Sequence, residues 1–98
     1  MKKIIDGKLY DTEKAEKIYS FRQRRKTAVL FDTYNVYSWF EVDVYKTKKS
    51  NYFFHGYIKD SLDHEQFIER TSEREVKETM KELNVDKYIE LFGKVEEA

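Results

Sequence analysis

From Val36 to Tyr45 the chain alternates without a break. Val36, Ser38, Phe40, Val42 and Val44 form one set, and Tyr37, Trp39, Glu41, Asp43 and Tyr45 form the other. A period of two marks a strand whose side chains point to opposite faces of a sheet. The first set reads as a core face and the second as a partly wet, heavily aromatic one. Lys48-Lys49-Ser50-Asn51 is a polar turn, and Tyr52 to Ile58 is a returning strand rich in aromatics. Residues 39–46 and 52–58 are therefore expected to form an antiparallel hairpin.

Other elements follow from local chemistry. Asp6-Gly7, between Ile4-Ile5 and Lys8-Leu9-Tyr10, supplies the positive φ values of a two-residue type I′ turn. Asp11 or Thr12 can cap a helix, and Ala15, Ile18 and Tyr19 recur at helical spacing, so a short amphipathic helix is expected over 12–20. The basic run Arg22, Arg24, Arg25 and Lys26 would lie near its C-terminus, where cations complement the helix dipole. Thr27 to Phe31 is β-prone, 59–65 reads as a loop and 66–70 as a short strand. Ser72-Glu73-Arg74-Glu75 is a capping box. Val76, Met80 and Leu83 then define the buried stripe of a helix over 73–83. Asn84 suits a left-handed helix end. Asp86 suits the cap of a second short helix, with Ile89 and Phe92 inward and Gly93 as its stop.

With no proline, repeat or linker, residues 1–98 read as a single domain with 94–98 a frayed tail. The expected fold is α+β: a small antiparallel sheet of four or five strands with short helices packed on one face. Its expected core comprises Ile4, Leu9, Ile18, Phe40, Val42, Val44, Val76, Met80, Leu83 and Ile89.

Composition removes several classes of function. Eight Tyr, seven Phe and one Trp exclude a disordered chain, and zero cysteines exclude disulfides and thiol chemistry. There is no apolar run of membrane-spanning length, and Met1-Lys2-Lys3-Ile4-Ile5-Asp6 has no apolar signal-peptide region, so a cytoplasmic setting is expected. Net charge is zero, yet residues 1–59 hold 13 Lys+Arg against 7 Asp+Glu, and residues 60–98 hold 6 against 12. Such a chain can present a basic and an acidic surface at once.

Catalytic signatures are missing. Three separated glycines, Gly7, Gly56 and Gly93, cannot build a phosphate-cradling loop. His55, beside Phe54 and Gly56, reads as a packing residue. Asp63-His64-Glu65 are adjacent and do not converge on an ion. Glu41 and Asp43 on one strand face, with Lys46 nearby, are the residue types of a metal-dependent nuclease, but the spacing fits a wet face with a cross-strand ion pair better. No catalytic residue, cofactor or metal is expected, and the chain reads as a non-enzyme.

Two binding surfaces remain. Arg22, Arg24, Arg25 and Lys26 suit phosphates, and Tyr37, Trp39 and Tyr45 suit base stacking on an exposed sheet face. At 100° per residue, Glu75, Glu78 and Glu82 line one stripe of the 73–83 helix, and Glu69 and Asp86 extend the acidic patch. Arg74, Lys77 and Lys81 form a separate stripe.

The opening from Lys2 to Ala15 resembles a pattern, K-K-I-I-x-G-K-x-Y-D-T-x-x-A, of small proteins carried by phages, plasmids and other mobile elements of Gram-positive bacteria. Val44 to Gly56 is similar to that group's hairpin, L-Y-x-T-K-x-G-x-[WFY]-F-x-x-G, departing at Ser50 where the pattern has a turn glycine; Asn51 beside it tolerates positive φ. Ile68 to Gly93 fits as a strand, a capped helix and a short helix ending in Phe-Gly. The likeness spans about two-thirds of the chain. Some members resemble inhibitors of CRISPR effector nucleases. The resemblance thus implies an anti-CRISPR protein that binds a guide-loaded effector in a bacterial host and blocks target DNA. The acidic residues Glu69, Glu75, Glu78, Glu82 and Asp86 would enter a channel whose own charge is positive. The alternative is a nucleic-acid-binding accessory protein of a phage or plasmid, using Arg22, Arg24, Arg25, Lys26, Tyr37 and Trp39. The matched motifs are structural, so they carry no binding residues.

Overall fold

The alternating segment becomes the second strand of a four-stranded antiparallel meander in a computed structural model that describes residues 1–59, 65–93 and 95–98. The elements are β1 (Lys2–Ile5), β2 (Lys8–Asp11), β3 (Glu16–Leu30), β4 (Tyr34–Lys46), β5 (Tyr52–Tyr57), β6 (Gln66–Thr71), α1 (Glu73–Leu83) and α2 (Val85–Phe92). The order β3-β4-β5-β6 makes one sheet, and β1-β2 is a separate hairpin. This is the α+β arrangement expected. No helix among the described residues is long and apolar enough to cross a membrane. The Asp63-His64-Glu65 trio lies partly outside the described residues, as does the start of the expected tail.

Local chemistry explains the turns. Asp6 (φ 50°) and Gly7 (φ 75°) form the expected turn between β1 and β2. In the β4–β5 turn the left-handed residue is Ser50 (φ 62°), the position where the hairpin pattern carries glycine. The Ser72 hydroxyl caps α1 by accepting from the Glu75 N–H at 3.1 Å. Glu75 completes no reciprocal box; its carboxylate accepts from the Thr71 hydroxyl. Asn84, not Asp86, caps α2, its side chain accepting from the Lys87 N–H at 3.0 Å. With φ −159°, Asn84 is extended rather than left-handed.

The expected helix over 12–20 is absent: from Glu16 this segment is strand β3. The cause is a β-bulge at Ile18. Lys17 pairs with Tyr45 and Tyr19 with Val44, so Ile18 is an extra residue. Ile18 and its neighbour Tyr19 both pack on the helix-side core, while Ala15 joins the opposite one. A bulge thereby breaks the period of two and yields a spacing of three and four that imitates a helix.

Helices α1 and α2 cover one face of the sheet, where Val44, Tyr52, Val76 and Met80 are buried with Tyr19, Phe21, Phe54, Tyr88 and Phe92 around them. The β1–β2 hairpin covers the other face, where Tyr10 packs on Tyr45, Phe53 and Ile68. Hence Val42 to Tyr45 are buried on both faces, which corrects the expectation that Asp43 and Tyr45 lie on a wet one. Four expected core residues are exposed. Ile4 and Leu9 pair with each other on the outer face of the β1–β2 hairpin, opposite inward Ile5 and Tyr10. Leu83 ends α1, one turn beyond its packed stripe, and Ile89 faces away while Tyr88, Leu91 and Phe92 turn inward.

β3 and β4 do not stop where the sheet does. Residues 41–46 of β4 pair with β5, but among the described residues 34–40 pair with β3 alone. These seven residues carry a two-stranded arm about 23 Å along the strand direction. Its tip reverses through Phe31 (φ 53°) and Asp32 (φ 55°), closed by Thr33 N–H to Leu30 C=O at 3.1 Å. A left-handed conformation costs a side-chain-bearing residue about 1–2 kcal/mol. Phe31→Gly is therefore expected to raise stability by about 0.5–1 kcal/mol and the melting temperature by about 2–5 °C, read by thermal denaturation.

Candidate nucleic-acid interface

The arm separates the basic run onto two faces. In the β3–β4 register Arg22 pairs with Glu41, Arg24 with Trp39 and Lys26 with Tyr37. Cross-strand partners share a face, so Arg22, Arg24, Lys26, Tyr37 and Trp39 stand together, all exposed. The contacts run diagonally. The Arg22 guanidinium lies 5.2 Å from the Trp39 ring centre, and that of Arg24 lies 4.4 Å from the Tyr37 ring centre. Arg22 also meets Glu41 at 3.2 Å. A second bulge follows: Ala28 pairs with Val36, leaving Thr27 unpaired, and its hydroxyl approaches the Val36 carbonyl and Ser38 hydroxyl at 3.4 Å each. Bulges increase local twist, which turns this face relative to the sheet below.

These stacks change the role of the aromatics. A guanidinium over an aromatic ring is attracted to its face and keeps N–H groups for planar or phosphate acceptors, although the Nε of Arg22 is already engaged by Glu41. Trp39 and Tyr37, expected from the sequence to stack bases, each lie beneath an arginine and remain about half exposed. Tyr45, the third ring proposed for that task, is buried under Tyr10 and Phe53. Burial and the neighbouring Asp43 push its phenol above the ordinary tyrosine range.

Arg25 points the other way. Its guanidinium makes a two-pronged pair with Glu69 at 2.6 and 2.8 Å, its Nε donates to Gln23 at 2.7 Å, and it lies 3.9 Å from the Phe67 ring centre. Phe67 in turn covers Gly56, where an added Cβ would sit 2.1 Å from the ring. Arg25 and Glu69 are therefore paired with each other at the base of the arm, on the face opposite Arg22 and Arg24. The hydrogen bond from Arg25 holds the Glu69 carboxyl below its ordinary range. A depressed carboxyl pKa adds stability above the unfolded value, near 4.5, that is lost as pH falls through the folded one. Glu69→Gln is thus expected to destabilise the fold modestly at pH 7, by at most about 1 kcal/mol given its exposure. The deficit should shrink below pH 4, as read by urea denaturation across pH.

The acidic set is dispersed. Glu75, Glu78 and Glu82 are exposed on α1, with Glu78 paired to Lys81 at 3.1 Å. Glu73 pairs with Lys77 at the same distance. Asp86 lies in the first turn of α2, and Glu69 is held on the sheet by Arg25. The carboxylates on β4 are also engaged: Asp43 accepts from the Ser20 hydroxyl at 2.7 Å and lies 3.7 Å from Lys17, and Glu41 meets Arg22. Lys46 belongs to the opposite face of β4, so no nuclease-like trio forms. Among the described residues no cluster of acids and histidines is arranged to hold a metal. His55 is a packing residue, 2.9 Å from Gln66 and beside Tyr57.

The arm tip was not singled out by its sequence. Val29, Leu30, Phe31 and Tyr34 are all about half exposed or more. Leu30-Phe31-Asp32-Thr33-Tyr34 contains neither Gly nor Pro to announce a turn; the available signal was an apolar run interrupted by a single Asp-Thr. No family model matches the chain, and no curated protein or solved structure matches it either.

Proposed function

We propose that this is a non-enzymatic nucleic-acid-binding accessory protein, with the β3–β4 arm as its binding element. The observation that carries the reading is one exposed face that starts at Arg22 on the edge of the sheet, over Trp39, and continues along the projecting ribbon through Arg24, over Tyr37, to Lys26. Three cations held on a β scaffold lose little freedom on meeting phosphates. The test is binding to labelled duplex DNA, single-stranded DNA and RNA across a salt series. Three neutralised phosphates give log K against log salt a slope of about −2.7 on B-form DNA. Absence of binding to all three at low salt overturns the proposal.

The motif resemblance supports a second reading, an anti-CRISPR protein of a mobile element. Its support is the motif likeness alone; Ser50, left-handed where the hairpin pattern has glycine, agrees with that pattern's turn and carries no function. A guide-loaded effector offers either nucleic acid to the arm or a cationic channel to Glu75, Glu78 and Glu82. Plasmid interference in cells with a matched CRISPR system tests it. Glu75→Lys with Glu78→Lys and Glu82→Lys abolishes inhibition if the acids act, and an arm variant abolishes it if the arm acts. Undiminished interference in the presence of the wild type rejects this reading.

A further inference from the structure

The end of the arm is built differently from its sides. Phe31 is 87% exposed, the most exposed of the large apolar side chains among the described residues. It is held outward by two consecutive left-handed residues, Phe31 and Asp32, at positions where glycine or asparagine would be relaxed. The turn is pinned twice, by Thr33 N–H to the Leu30 carbonyl at 3.1 Å and by the Thr33 hydroxyl to the Phe31 carbonyl at 3.0 Å. Val29, Leu30 and Tyr34 surround its base, each about half exposed or more. Across the Thr27 bulge, Val29 pairs with Asn35, two residues before Tyr37, so the apolar tip adjoins the arginine face. A bulky aromatic kept in a strained conformation and 87% exposed contributes little to the stability of this fold.

We propose that Phe31 is a wedge that enters a base-pair step of duplex DNA and kinks it, while Arg22, Arg24 and Lys26 hold the flanking phosphates. This rests on the reading of the arm as a nucleic-acid binder. Arg24 and Lys26 along the arm outweigh the one carboxylate at its tip, Asp32, and favour a polyanion as the occupant, and shape favours the duplex. Single strands lie in grooves or on flat stacking platforms, whereas this arm is a protrusion with an arginine over each of the lateral rings Trp39 and Tyr37. A two-stranded ribbon fits a duplex groove, and apolar tips carried into a groove separate base steps, opening flexible TA and CA steps at least cost.

The experiment uses a 30-base-pair duplex with a central TA step, 2-aminopurine beside that step, and a fluorescent donor and acceptor at its ends. Wild-type protein should brighten the 2-aminopurine several-fold and raise end-to-end energy transfer, consistent with a bend of about 20–90°. Phe31→Gly, which relaxes the turn, should bind with an unchanged salt slope yet give neither signal. Phe31→Trp should restore both. Salt-dependent binding by wild-type protein without either signal overturns the wedge and leaves the arm reading standing. The same holds if Phe31→Gly kinks the duplex like wild type, or if unstacking occurs only on single strands. Absence of salt-dependent binding to any nucleic acid overturns both.

Discussion

Truncation of Phe53 to alanine is expected to cost about 3–5 kcal/mol, the range for a large buried aromatic. A domain of this length has about 5–15 kcal/mol in total, so the variant should be partly unfolded at 37 °C. Phe53 has no exposed surface and sits at the centre of the layer between sheet and β1–β2 hairpin. Tyr10 meets it edge-on at 5.5 Å, and Tyr45 stacks on it at 5.0 Å. Removing the ring leaves a void whose walls close poorly: β4 and β6 are fixed to β5 by the ladder, and the β1–β2 hairpin is a separate sheet resting on this layer. The hairpin should loosen first, because besides this aromatic layer it is held to the sheet by Arg70–Asp6 at 2.7 Å and by Lys3 to the Ile68 carbonyl at 3.4 Å. Urea denaturation with tyrosine fluorescence reads the total loss. Hydrogen exchange at residues 2–11 reads the order of events. A loss under about 1 kcal/mol would mean that this layer does not hold the two sheets together.

The legible parts of the fold were those where one local rule acts alone. Asp6-Gly7 specifies its turn, Ser72 caps α1, and Val76 with Met80 marks its buried stripe. The β4–β5 hairpin is written in the alternation from Val36 and in the polar turn before Tyr52. The illegible parts were those where two features overlap. At Ile18 a bulge shifts the register, so a strand carries the spacing of a helix. At Asp43 and Tyr45 the alternation is intact, but the β1–β2 hairpin buries the face that it marked as wet. Leu83 and Ile89 continue a periodic pattern beyond the surface available to cover it. The candidate site was half legible. The basic and aromatic residues were found from composition, but only the pairing register divides Arg25 from Arg22 and Arg24. The tip was hidden because its turn uses Phe31 and Asp32 where turns usually advertise themselves with glycine.

Neutralising the arm with Arg22→Gln, Arg24→Gln and Lys26→Gln is expected to abolish nucleic-acid binding while leaving the fold intact. Each lost phosphate contact removes about one from the salt slope, so the triple variant should lose nearly all of it and bind at least about a hundredfold more weakly at low salt. Glutamine keeps much of each side-chain stem, and all three sites are exposed, so the melting temperature should move little. Two single variants then separate charge from geometry. Arg24→Lys keeps the charge but loses the planar group that lies 4.4 Å from the Tyr37 ring centre. It should retain the slope and lose several-fold in affinity, because an ammonium on a flexible stem is not held in place by the ring. Arg25→Gln removes an equal charge from the opposite face, where the guanidinium is committed to Glu69 and Phe67. That variant should lose stability and keep its salt slope. An Arg25 variant that flattens the slope as much as Arg24→Gln would show that the two faces of the ribbon do not act separately, and the assignment of one face to phosphate would fall.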